Sequence, residues 1–168
     1  MKKLSITAFI AIICFAGLNA QTYKWWIGGH TTLWAGEKNT IFNIAPEVGY
    51  LISPKITLAA SLGYYSNHYD SMRSNGFILN PYVRYVAFKQ GIVLGFVDGG
   101  VDVGVGDMNG FQVGFKPGIA VLLSERFTAA TQFGFFGYND GKGIAERRKG
   151  FGFDFSAYCP IIAFFYSF

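Results

Sequence analysis

Two histidines, His30 and His68, and one basic triplet, Arg147-Arg148-Lys149, are the side chains around which site chemistry would have to be built. His68 stands near Ser66, Asp70, Ser71 and Ser74. A serine–histidine pairing there would supply a nucleophile and its base, but hydrolysis also needs an orienting group within hydrogen-bond reach. The simpler reading is a polar residue at the rim of a polar loop. His30 is isolated in the sequence, whereas metal chemistry needs about three or four ligands. Gly99-Gly100 and Gly104-x-Gly106 resemble a nucleotide-binding glycine loop only superficially, because no helix follows them. They are read instead as making room for Tyr and Phe neighbours. Asp107-x-Asn109-Gly110 is a fragment of a calcium loop without the remaining ligands, and is read as a turn. No catalytic residue, metal ligand or cofactor is therefore expected.

The elements that would carry these residues read as strands. Half of the chain is hydrophobic and 18% is aromatic, yet only 14% of the 168 residues are charged, against about 25% in an ordinary soluble domain. Lys2 and Lys3, the apolar run Leu4 to Phe15 and Leu18-Asn19-Ala20 have the layout of a secretory signal peptide over residues 1–20. Ile13 before Cys14 argues against lipidation. Beyond residue 20 no apolar run reaches the roughly 20 residues a membrane-spanning helix requires. Without the leader, Cys159 is the sole cysteine, so no intramolecular disulfide is expected. The 14 basic residues less Lys2 and Lys3 leave 12, against 10 acidic. With no basic stripe or known module, nucleic acid is not an expected partner.

From Gln21 to Phe168 apolar residues recur at every second position, the period of a strand with two unlike faces. Eight strands are predicted: Tyr23 to Trp34, Ile41 to Ile52, Ile56 to Asn67, Phe77 to Phe88, Ile92 to Val105, Phe111 to Leu123, Phe127 to Tyr138 and Phe151 to Phe168. Three-residue turns (Ser53-Pro54-Lys55, Lys89-Gln90-Gly91, Ser124-Glu125-Arg126) alternate with generally longer, more polar loops. That asymmetry belongs to bacterial membrane barrels, with short periplasmic turns and long extracellular loops. The fold expected for residues 21–168 is thus an all-β, eight-stranded antiparallel up-and-down transmembrane barrel.

The charges decide which face points inward. Glu47, Arg84, Asp98, Asp102, Lys116 and Asp154 all fall on the small, polar face. Facing lipid, they would cost up to about 2–4 kcal/mol each near the midplane, the basic ones most. Inside a narrow lumen they can pair, with Arg84 and Lys116 offsetting Glu47, Asp98 and Asp102. A soluble lipid carrier would show the reverse arrangement. Pro81 and Pro117 fall on the outer face inside strands, where each removes a ladder donor, and are read as local bulges. The parity of strand eight changes between Asp154 and Phe164, so a one-residue bulge is expected near Cys159-Pro160.

Pro46 to Lys55 followed by Leu58 to Tyr65, Pro81 to Tyr85, Lys116 to Ala120, and Ser124 to Phe127 resemble the strands and turns of small "porin family" outer-membrane barrels common in Bacteroidetes. The closing Phe164-x-Tyr166-x-Phe168 resembles the C-terminal signal read by the barrel-assembly machinery. The resemblance implies an architecture like that of the outer-membrane protein X and A barrels, without implying conductance. The expected role is structural or interaction-mediating at the cell surface, as a monomer in outer-membrane lipid and lipopolysaccharide, exported through the periplasm. Arg147, Arg148 and Lys149 are candidate contacts for lipopolysaccharide phosphates, since Arg matches phosphate bidentately; a solvated loop tip is the competing reading. The functional alternatives are a narrow solute channel, a lipid A-modifying enzyme and a soluble ligand-binding barrel.

Overall fold

The computed structural model describes residues 23–36, 39–69, 72–140, 149–155 and 162–168. Among them there are only strands: β1 Trp25–Ala35, β2 Asn39–Ser53, β3 Ile56–Tyr69, β4 Met72–Gln90, β5 Val93–Gly106, β6 Gly110–Leu122, β7 Phe127–Gln132, β8 Phe135–Asp140, β9 Lys149–Asp154 and β10 Ile162–Ser167. All pairings are antiparallel. β1 to β6 pair in sequence order; β7 and β8 both pair with β6; β10 pairs with β7 and β1, and β9 with β8. β7 with β8 and β9 with β10 are the two halves of single staves, so the ten segments make a closed eight-stranded up-and-down barrel.

The short turns are closed by local chemistry. Ser53 Oγ accepts from the backbone N–H groups of Lys55 (3.3 Å) and Ile56 (3.1 Å). Ser124 Oγ repeats the device with Arg126 (3.3 Å) and Phe127 (3.1 Å). The third short turn relies on Gly91, whose φ of 59° is unfavourable for a residue with a Cβ. At the opposite end β3 and β4 run further than the sequence reading had them: Asn67 pairs with Ser74 and His68 with Arg73, so most of the expected loop from Tyr69 to Asn75 is strand.

Alternation sorts the side chains as expected. Ile44, Val48, Leu58, Leu79, Val83, Val113, Phe115 and Phe164 are exposed on the outer wall. Trp26, Ala59, Tyr82, Phe96, Ala120, Ala130 and Phe165 form the buried core. Asp98 and Asp102 are only 2% and 6% exposed. Eight strands leave an interior just wide enough for side chains to fill.

Three register expectations need correction. At Pro81 the β3–β4 and β4–β5 registers run on unshifted, so there is no bulge. Val86 N–H donates to Lys55 O (2.8 Å), which by alternation turns the nitrogen of Pro81 towards Val101 on β5. Asn80 Nδ2 donates to that Val101 carbonyl (3.3 Å), supplying the hydrogen bond that proline cannot. At Pro117 an irregularity does occur, but on the facing strand. Gly118 pairs with Gln132 whereas Phe115 pairs with Phe136, so one extra residue enters strand seven at Phe133-Gly134. Phe133 N–H donates to Pro117 O (3.1 Å) there. Strand seven is consequently two segments, not one.

Strand eight is also split. Thr131 lies opposite Ile162 and Phe135 opposite Asp154, and between these two pairs the sequence has three residues on strand seven and seven on strand eight. The difference between the flanking pairs is larger than the single extra residue expected. Cys159 and Pro160 lie outside the described residues.

Candidate functional site: the ion-paired interior

Antiparallel pairing sets Arg84 on β4 directly opposite Asp98 on β5, and Asp98 opposite Lys116 on β6. Arg84 takes Asp98 with a bidentate fork, Nε to Oδ1 at 2.7 Å and Nη2 to Oδ2 at 2.8 Å. Gln132 Nε2 donates to the same Oδ2 at 2.7 Å. With both Asp98 oxygens engaged, Lys116 reaches along the barrel to Asp102 Oδ2 at 2.6 Å. Asn80 Nδ2 donates to the other oxygen of Asp102, and Tyr82 OH donates to the Glu47 carboxylate. Asp154 lines the same cavity as Glu47, Asp102 and Lys116. The structure therefore brings Glu47, Arg84, Asp98, Asp102 and Lys116 into direct or neighbouring contacts, and Asp154 lines the same chamber from β9.

Tyr82 and Asn80 share the parity of Arg84 on β4 and so face inward with it. Sequence reasoning missed Gln132 and an aromatic cage around Arg84. The guanidinium carbon lies 4.0 Å from the Phe96 ring centre, 5.4 Å from Tyr82, 5.5 Å from Phe165 and 5.8 Å from Trp26. Trp26 and Phe165 meet edge to face at 4.5 Å. Cation–π contact with desolvated rings contributes about 2 kcal/mol, and breaking a buried ion pair by removing one partner costs about 3–5 kcal/mol. The cage and the fork lock Arg84 as a plug across the lumen.

The plug divides the interior. Towards the short turns, aromatic and alanine side chains fill the space. Towards the loops lies a chamber of 380 Å³, lined by His30, Tyr65, Asn80, Asp102, Lys116 and Asp154 among others. Chemically the arrangement pairs both of its cations, Arg84 with Asp98 and Lys116 with Asp102, and holds Glu47 by a tyrosine hydroxyl. Among the described residues no group of three or more His, Cys, Asp or Glu is placed to hold a metal ion.

The remaining candidates are dispersed. Ser66 Oγ donates to Asn75 Oδ1 (2.7 Å) and exposed His68 pairs across the strand with Arg73; Asp70 and Ser71 lie outside the described residues. Gly99 sits beneath the Phe115 ring and Gly100 against Tyr82, where a Cβ would crowd those side chains. Asn109 N–H donates to Gly106 O (3.2 Å), closing a turn as expected, and Asp107 Oδ2 accepts from Asn75 N–H (2.8 Å) on β4. Lys149 opens β9 on an exposed position, and Arg147 and Arg148 lie outside the described residues.

The C-terminal residues contribute an unexpected clasp. Phe164 points outward, and Phe168 N–H donates to Trp25 O (2.8 Å). Arg126 donates from Nη1 to Tyr166 OH (3.0 Å) and from Nε to Tyr23 OH (2.9 Å). These hydrogen bonds, that to Tyr166 first, hold the Arg126 guanidinium above its ordinary pKa. A turn arginine thus joins the segment leading into β1 to the last strand, a role with no local signal in the sequence. No protein-family model matches this chain, and no curated protein sequence matches it.

Proposed function

We propose that the protein is a bacterial outer-membrane β-barrel with a closed, ion-paired interior and a structural or cell-surface interaction role. The observation that carries this reading is the inversion of polarity. Large apolar side chains such as Leu58, Leu62, Phe115 and Phe164 stand exposed around the wall, while Asp98 and Asp102 are buried in the lumen. In water that outer wall would be an apolar patch far beyond what soluble monomers carry; in hydrocarbon it is the favourable surface. A closed barrel also meets the requirement that no lipid-exposed backbone group lack a partner.

The proposal takes residues 1–20 as an export signal and Phe164, Tyr166 and Phe168 as the assembly signal. Lys149, with Arg147 and Arg148 beside it in sequence, is proposed to meet lipopolysaccharide phosphates at the outer surface. Replacing all three with alanine is expected to weaken lipopolysaccharide association; unchanged association removes that contact from the proposal. The Arg84 plug makes a wild-type pore an unfavoured second reading, and among the described residues no serine–histidine pairing supports hydrolysis of lipid A.

Gel mobility of the membrane fraction with and without boiling in detergent tests the main reading. A faster-moving unboiled band is expected. Recovery in the soluble periplasm without any mobility shift would overturn it.

A further inference from the structure

The short-turn end of the barrel gathers positive charge. Lys24 precedes β1, Lys55 and Lys89 stand at two of the short turns, and Arg126 closes the third. All four are exposed, and among the described residues none is ion-paired; Glu125 is the one acidic side chain at that end. An exposed lysine is ordinarily only solvated, but Arg126 is fixed in place. Its backbone N–H donates to Ser124 Oγ (3.3 Å) and its carbonyl accepts from Ser167 N–H (2.8 Å). Its guanidinium lies 5.1 Å from the Tyr23 ring centre and donates to the hydroxyls of Tyr23 and Tyr166. An arginine has five N–H donors. Three of them, one on Nη1 and two on Nη2, have no partner among the described residues. Each tyrosine hydroxyl that accepts from Arg126 keeps a hydrogen of its own to donate. Tyr166 also meets Phe127 edge to face at 5.3 Å, and along β10 it alternates with Phe164 and Ile162. Phe127, Phe164 and Ile162 are exposed, so an apolar column on the outer wall leads up to the guanidinium.

We infer that Arg126, with Tyr23 and Tyr166, seats the phosphate of one anionic phospholipid at the periplasmic rim, its acyl chains lying along Phe164 and Ile162. This rests on the membrane reading of the outer wall. Amphipathic aromatic rings such as Tyr23 and Tyr166 belong at headgroup level, where a membrane barrel carries its aromatic girdle. A phosphate diester offers acceptor oxygens only, and the cluster offers it N–H and O–H donors. The unused N–H groups of Arg126 sit on neighbouring nitrogens, the spacing that lets a guanidinium take two phosphate oxygens together. The two tyrosines hold that fork before the lipid arrives, so little side-chain freedom is lost on binding. Charge selects the class of lipid. Lys24, Lys55, Lys89 and Arg126 face Glu125 alone, and such a rim attracts an anionic headgroup more strongly than a zwitterionic one that brings its own ammonium.

The test is native mass spectrometry of the full chain folded in detergent, titrated with phosphatidylglycerol and phosphatidylethanolamine of the same acyl chains. One phosphatidylglycerol per barrel is expected to bind saturably, about fivefold or more tighter than phosphatidylethanolamine. Arg126→Gln is expected to weaken phosphatidylglycerol binding about fivefold, and Lys89→Gln, at another turn, to weaken it less. Equal losses in the two variants would make the attraction diffuse and overturn the seat. Should Arg126→Gln fail to fold, Tyr23→Phe with Tyr166→Phe removes both hydroxyls and leaves the charge; a loss of about threefold is expected, and unchanged binding overturns the inference. Equal affinity for the two lipids overturns it as well. So does displacement of phosphatidylglycerol by soluble peptidoglycan fragments, which offer carboxylates instead of phosphate and would assign the rim to the cell wall. An unboiled gel shift of the wild type in the same samples separates the two failures. A shift without lipid preference rejects the phosphate seat alone, and loss of the shift rejects the membrane barrel.

Discussion

The two halves of the lumen are built from the same alternating strands but are filled in different ways. In the half nearest the short turns, the inward positions carry Trp26, Ala59, Phe96, Ala120, Ala130 and Phe165, which pack into one cluster. In the half nearest the loops, many inward positions are glycine, serine or asparagine, including Ser61, Gly63, Asn80, Gly100, Gly104 and Gly114, and a chamber remains. The layer of Arg84, Asp98 and Gln132 separates them. Side-chain volume is one difference between the halves. The wall follows the contrast: strands seven and eight pair regularly between Phe127–Thr131 and Ile162–Tyr166, and lose register beside the chamber.

The largest effect should come from the dividing layer. Asp98→Leu strands the Arg84 guanidinium in its cage and is expected to cost about 3–5 kcal/mol, read as the urea midpoint of the unboiled gel band. Arg84→Ala removes the plug itself. It is expected to give planar-bilayer conductance that the wild type lacks; two silent membranes would place the block elsewhere.

Overpacking the filled half should come next. Gly118 lies beneath the Phe96 ring and Gly49 beneath Trp26, with no space for a Cβ. Gly118→Val is expected to cost about 1–3 kcal/mol in the same urea titration. A loss no larger than that of a surface substitution would show that this half is not tightly packed.

In the open half, removing both members of a pair should be milder than removing one. Lys116→Met alone leaves Asp102 without its cation, whereas Lys116→Met with Asp102→Leu removes the charge altogether. The double variant is expected to be more stable than the single one; the reverse order would mean the pair holds the chamber together. The smallest effect is expected at Gly152, where a Cβ meets nothing within 4 Å. Gly152→Ala should stay within about 0.5 kcal/mol of wild type.

The interior charges show how far residue patterns carry. Asp98 and Asp102 could be assigned to the lumen because they alternate with Val97, Val101 and Val103, and a two-residue period is a local property. Which cation each would meet was not local. Lys116 pairs across from Asp98 yet bonds Asp102, because Arg84 and Gln132 already occupy Asp98. The Arg84 cage draws on β1, β4, β5 and β10, and only closure of the ring brings the first and last strands together.

The sequence by itself determined the eight staves, the three short turns, and the face that holds the charges. Alternation and turn chemistry are written within a few residues of each other, and the energetic difference between lumen and outer wall is large. Tertiary structure alone decided the partners and the breaks. Strand seven yields at Phe133-Gly134 opposite Pro117, strand eight is split at the same level, and Arg126 reaches Tyr23 before the first strand and Tyr166 on the last. Each depends on a neighbour across the sheet, whose register is set by the closed ring as a whole.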